Sequence, residues 1–176
     1  MTRSSVALWM LIHLCAAAFA AEPITREEIR AAQQAWGEAI VALGEASVQG
    51  DDVQALARQT VETLYAYDLG PVLFKPTKAA AQPFRPDLDR AVSYFVKGSV
   101  PEDHGFALQP WSQVRFGDQE IAIDSDSAAA MGHYYFTDAG TGAETQVEFT
   151  FGYVRDPQGR LRINVHHSSL PYQPHP

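Results

Sequence analysis

Halfway along the chain the spacing of apolar residues changes from a helical period to a period of two, and that switch limits the fold more than any other feature. Before it, Ile29, Ala32, Trp36, Ala39, Ile40 and Leu43 recur at helical spacing. Thr25-Arg26-Glu27-Glu28 has the form of a capping box at the head of that stripe, Ile24 and Ile29 stand where a hydrophobic staple packs, and Gly50 ends the helix. Asp51 is placed to cap a second helix carrying Val53, Leu56, Val61, Leu64 and Tyr65, which Gly70-Pro71 stops. Val72 to Lys75 reads as a short strand. Pro83 and Pro86 break the connection after it, and Asp87 can cap a short helix through Val96. Beyond the switch, strand-like runs at 110–116, 119–124, 128–137, 145–155 and 160–169 are separated by turn chemistry, including Gly117-Asp118 and Asp156-Pro157-Gln158-Gly159. Helices followed by hairpins predict an α+β fold, long N-terminal helices packed against a curved antiparallel sheet. The conical interior of such a sheet is a common place for a small-molecule site.

The N-terminus reads as an export signal. Met1-Thr2-Arg3 precedes a run without charge from Val6 to Ala20, and Ala18-Phe19-Ala20 supplies small residues for cleavage after Ala20. The run is shorter than the about 20 apolar residues of a membrane span. We therefore expect a cleaved signal peptide over 1–20, a single mature domain over 21–176, and a periplasmic or secreted protein free of the membrane after cleavage. Cleavage removes Cys15, the only cysteine, and with it any disulfide, thiol nucleophile or thiolate metal ligand. It also removes Arg3, taking the formal net charge from −8 to −9. An acidic surface argues against nucleic acid as a partner.

The final strand carries the chemistry. Arg162-Ile163-Asn164-Val165-His166-His167-Ser168-Ser169 alternates. Strict period two places Ile163, Val165, His167 and Ser169 on one face and Arg162, Asn164, His166 and Ser168 on the other. The face that begins Ile-Val is expected to be the inner one, which would turn His167 and Ser169 inward. Buried polar groups need partners, so that pair is either a satisfied core histidine beside a strand-end serine or part of a site. His166 and His167 point to opposite faces and cannot easily chelate one ion, and no third ligand to join His133 is evident.

Six segments, taken together and in order, resemble the iota class of carbonic anhydrases. They are Leu73-Phe74-Lys75-Pro76-Thr77-Lys78-Ala79, Ser93-Tyr94-Phe95, Gly105-Phe106-Ala107-Leu108-Gln109-Pro110-Trp111, Ala130-Met131-Gly132-His133-Tyr134-Tyr135-Phe136, Val147-Glu148-Phe149-Thr150-Phe151-Gly152-Tyr153 and His166-His167-Ser168-Ser169-Leu170-Pro171. The likeness runs from about Thr25 to Tyr172. It implies the cone-shaped fold shared with nuclear transport factor 2 and the kinase II association domain, and carbon dioxide and bicarbonate as substrate and product. An open sheet face has to be covered or polar, so a homodimer through the sheet is expected. In members described as metal-free, bicarbonate is held by a Thr, a Tyr, a His and a Ser. The matching positions here look like Thr77, Tyr94, His167 and Ser169. Other members are described as preferring manganese or zinc, so the resemblance implies no cofactor without closing the question of a metal.

On that reading His167 is suited to take the proton of an attacking water, while the hydroxyls of Thr77, Tyr94 and Ser169 stabilise charge growing on the carbon dioxide oxygens. Lys75 and Lys78 flank Thr77 and are either a local draw for bicarbonate or solvated turn residues. The same fold hosts unrelated functions. An isomerase or dehydratase would want an interior carboxylate, for which Glu148 and Asp124 are poorly placed. A non-catalytic binding or assembly module would expose a large apolar sheet face.

Overall fold

The computed structural model describes residues 22–174. The expected signal peptide and its cleavage after Ala20 lie outside the described residues, as do Cys15 and His175.

Three helices come first: α1 (Arg26–Gln49), α2 (Val53–Leu64) and α3 (Leu88–Val96), with the short strand β1 (Leu73–Lys75) between the second and third. The capping box forms as read, Thr25 accepting from the Glu28 amide and Glu28 from the Thr25 amide. Gly50 closes α1 in the left-handed region, φ 79°. Asp52, one residue later than expected, caps α2 by accepting from Ala55, and Asp87 caps α3 by accepting from Arg90.

A 3-10 turn at Phe106–Leu108 leads into four long strands: β2 (Trp111–Ile123), β3 (Ser127–Asp138), β4 (Glu144–Arg155) and β5 (Leu161–Ser169). The sheet order is β1-β5-β4-β3-β2. Two expectations need correction. The sheet is mixed, because β1 runs parallel to β5, pairing Lys75 with His167, while the other pairs are antiparallel. Gly117-Asp118 is not a turn. It is an irregularity inside β2, where the register with β3 shifts between Phe116 and Gln119. The bulge lets one strand continue where a hairpin was expected.

The concave face closes over α1 and is filled rather than hollow. Trp36, at the middle of α1, lies 5.4–6.5 Å centroid to centroid from Phe95, Phe116, Tyr134, Phe136, Phe151 and His166. Two buried arginines pin the elements that surround this core. Arg162 reaches from β5 to the backbone carbonyls of Glu62 and Tyr65 and to Asp68, holding the C-terminal end of α2 against the sheet. Arg85 donates to Asp103 at 2.6 Å, both side chains fully buried, joining the loop before α3 to the loop after it.

Candidate active site

Strand β5 does not keep one phase along its length. Its pairing with β4 shifts between Gly152 and Tyr153, which face Val165 and Ile163, so Asn164 is an extra residue with no partner of its own. One inserted residue exchanges the faces of everything after it. Ile163 points inward, as expected, but beyond the bulge the inward residues are His166, 2 % exposed, and Ser168, 4 % exposed. His167 is exposed and Ser169 half-buried. The expectation that His167 and Ser169 line the interior is therefore corrected. They lie on the outer face, in a depression of about 330 Å³ with His133 and Glu148, where Ser169 donates to the Glu148 carboxylate at 3.1 Å.

The other two predicted residues are on the inner side. Thr77, in the turn after β1, donates from Oγ1 to the Ser168 hydroxyl at 2.8 Å. The parallel pairing of β1 with β5 brings that turn to the end of the last strand. Tyr94 is buried on α3, where its ring stacks on Phe106 at 5.5 Å and meets Phe74 edge-on at 5.8 Å. Phe74 in turn stacks on the His166 ring at 4.6 Å. Tyr94 also borders a cleft of about 270 Å³ with Lys78, His104 and Phe106, which gives this end of the cone an opening to solvent. The cluster is thus Thr77, Tyr94, His166 and Ser168, with Tyr134 alongside.

Burial fixes the protonation of these groups. It pushes the Tyr94 hydroxyl well up, an effect the Lys78 backbone amide partly offsets, so the phenol stays protonated. Tyr134 is raised in the same way, with the Ser168 hydroxyl opposing. His166 is driven well below the usual imidazole range, chiefly by burial and then by the nearby His167, so it is neutral at neutral pH. The site is a set of uncharged hydrogen-bonding groups enclosed by aromatic rings. Such a set can hold an oxyanion or a polarised carbonyl oxygen, but it has no carboxylate to act as a strong base.

Sequence reasoning did not turn His166 and Ser168 inward, nor pair His166 with Tyr65, which bonds it from the end of α2. A signal for the bulge was present: Asn is disfavoured in the middle of a strand, and the β4 residue paired with its neighbour Val165 is a glycine, Gly152. A Cβ on Gly152 would meet Asn164 Oδ1 at 2.8 Å, so the glycine is what allows the bulge to sit close.

The architecture is that of the cone-shaped nuclear transport factor 2-like proteins. An NTF2-like protein of Novosphingobium aromaticivorans superposes with a TM-score of 0.53 at 18 % identity, over 82 % of this chain and 80 % of that one. An NTF2-like superfamily protein of Salmonella enterica gives 0.53 at 15 %, over 84 % and 91 %. These likenesses show the fold alone. Within it, residues 27–170 match the family described as metal-independent carbonic anhydrase. A metal-independent carbonic anhydrase of Nostoc sp. (strain PCC 7120) is 42 % identical over 160 residues, 85 % of this chain and 75 % of that protein. The crystal structure of a cyanobacterial iota-carbonic anhydrase complexed with bicarbonate superposes with a TM-score of 0.82 at 41 % identity, covering 86 % of this chain and 95 % of that one. The chain belongs to the metal-independent carbonic anhydrase family. Among the described residues no group of three or more His, Cys, Asp or Glu is arranged to hold a metal ion.

Proposed function

We propose that this chain catalyses the reversible hydration of carbon dioxide to bicarbonate and a proton at the cluster of Thr77, Tyr94, His166 and Ser168. The reaction class follows from the family to which the chain belongs. The observation that carries the site is the 2.8 Å hydrogen bond between Thr77 and Ser168, made beside His166 on the inner wall. A relative 41 % identical was crystallised with bicarbonate, an anion that a ring of neutral donors suits.

Attack of a water oxygen on the carbon forms one C–O bond. A π pair moves onto a carbon dioxide oxygen, and a proton leaves to solvent. The donors act where that negative charge develops. A single well-placed donor is worth about 10²–10³ in rate in a dry site. The surrounding rings admit carbon dioxide and exclude bulk water, which strengthens each of these bonds. His167 is not the base in this scheme, since it lies outside the cone. The test is carbon dioxide hydration by stopped flow with a pH indicator, on protein purified with chelator. Activity that persists without metal and falls in Ser168→Ala and Thr77→Val supports the assignment. Activity unchanged in both variants would place the site elsewhere.

The reading extends to export and assembly. The leader-like residues 1–20 support a periplasmic or secreted protein, checked by N-terminal sequencing of the mature form. The outer face of the sheet, with Met131 56 % exposed beside the half-buried His133 and Glu148, supports a homodimer through that face, checked by light scattering of the eluted protein.

A further inference from the structure

The His166 ring is held on every side. Phe74 stacks on it at 4.6 Å with an 11° tilt, Phe151 meets it edge-on at 4.3 Å, and Trp36 edge-on at 5.4 Å. Its Nδ1 lies 2.8 Å from the Tyr65 hydroxyl oxygen, and that oxygen accepts from the Trp36 indole N–H at 2.9 Å. Trp36, Tyr65 and His166 are each 2 % exposed or less. Nε2 of His166, at the far end of the ring from the backbone, is buried and meets no donor or acceptor of the protein among the described residues.

The direction of each bond in this row follows from what the groups can do. An indole N–H only donates, so Tyr65 accepts from Trp36. Tyr65 has one proton of its own, and among the described residues the only partner left for it is His166 Nδ1. Were Nδ1 protonated, two N–H groups would converge on the Tyr65 oxygen and the phenol proton would be buried without an acceptor, a cost proteins rarely carry. Nδ1 is therefore the acceptor, and in a neutral imidazole the proton then sits on Nε2.

We infer that Trp36 and Tyr65 are positioning residues that hold His166 as its Nε2–H tautomer, so that the imidazole enters the site as a hydrogen-bond donor and not as a base. This rests on the reading of the cluster as the carbon dioxide site. The partner of the unsatisfied Nε2–H is then an oxygen of carbon dioxide or bicarbonate, where it joins the hydroxyl of Ser168, which Thr77 orients by donating to it. The backbone that presents Tyr65 is fixed accordingly: Arg162 donates to the Tyr65 carbonyl at 2.6 Å, and the Ala66 amide to the Ile163 carbonyl at 2.9 Å. The row joins α1, the C-terminal cap of α2 and β5.

The test is long-range nitrogen–proton correlation of ¹⁵N-histidine-labelled protein at neutral pH, His166 being assigned by its absence in His166→Gln. A pyrrole-type Nε2 with a pyridine-type Nδ1 in the wild type supports the proposal. A pyrrole-type Nδ1, a tautomer mixture or an imidazolium overturns it, even if hydration is normal. In Tyr65→Phe the row loses its donor, and the imidazole is expected to move toward the Nδ1–H form or a mixture. Its kcat is expected to fall about tenfold to a hundredfold, as it does when outer partners of a functional histidine are removed at metal sites. A Tyr65→Phe protein that folds and keeps the Nε2–H spectrum would show that Tyr65 only fills space, and would also overturn the proposal. Should that variant not fold, the wild-type spectrum still decides. Failure of the wild type to hydrate carbon dioxide would instead remove the reading of the site while leaving the tautomer as measured.

Discussion

Thr77 Oγ1 lies 2.8 Å from Ser168 Oγ, a bond that ties a turn in the first half of the chain to the last strand. It places Thr77 against the inward face of β5, the face we propose as functional, and a mutational comparison checks that proposal directly. Ser168→Ala removes a donor and Thr77→Val the group that orients it, and each should lower carbon dioxide hydration, the first by about 10²–10³. His167→Ala and Ser169→Ala should hydrate near the wild-type rate, because those side chains stand outside the cone. Stopped-flow rates on the four proteins decide it. Loss confined to His167 and Ser169 would mean that the outer depression is the site.

Buried neutral His166 should leave a mark on stability. The unfolded chain binds a proton at this residue near pH 6.5, whereas the folded chain, with the imidazole driven down by burial, does not. Below about pH 6.5 the unfolded state is thus favoured by up to about 1.4 kcal/mol per pH unit from this group, and above it the effect vanishes. Glu28, held near 2 by its bonds to Arg155, adds a second loss only as pH falls below its unfolded value of 4.5. Urea midpoints from pH 7 to 4.5 should decline in the wild type and decline less in His166→Gln.

The buried pair of Arg85 and Asp103 predicts a large, asymmetric effect. Arg85→Met leaves the Asp103 carboxylate buried without its cation and should cost about 3–5 kcal/mol, measured by equilibrium urea unfolding. Replacing both, as Arg85→Met with Asp103→Leu, should recover much of that loss. Because Arg85 also lies 5.8 Å from the Tyr94 ring, the double variant should still differ in activity from the wild type through a looser loop beside the cleft.

Gly152→Ala should disturb the site from the opposite strand. The added methyl would stand 2.8 Å from both Asn164 Oδ1 and Val165 Cγ2, and crowding of this kind costs about 1–3 kcal/mol. The strand must shift to relieve it, and the first residue it carries is His166. Hydration should therefore fall by more than the loss of thermal stability explains, whereas a silent Gly152→Ala would show that the bulge does not set the position of His166.

Most of the scaffold could be read from local chemistry. The capping box at Thr25, the αL glycine at Gly50 and the Asp87 cap are decided by the residues that make them, and each formed where expected. Pairing between distant segments was less legible. That β1 runs parallel to β5 depends on where the loops after it are anchored, by Arg85 to Asp103 and by Glu102 accepting from the amides of Ala80, Ala81 and Gln82. No periodicity contains that information. The site showed the same split. Thr77 and Tyr94 came from the resemblance and stand on the inner side, while the strand pair was placed one residue out of phase. Strict alternation is a rule for a strand without insertions, and a single unpaired residue at Asn164 was enough to reverse the face of the five that follow it in β5.

The rings gathered around Trp36 set a size limit. A cone of this shape with small side chains at its centre would admit an organic substrate. Here the volume is occupied by indole, phenyl and phenol groups, so on the proposed reading bulky molecules would be kept out by lack of room instead of by contacts that reject them. Competitors of such a pocket would be found among small planar anions, and enlarging them by even a few atoms would exclude them.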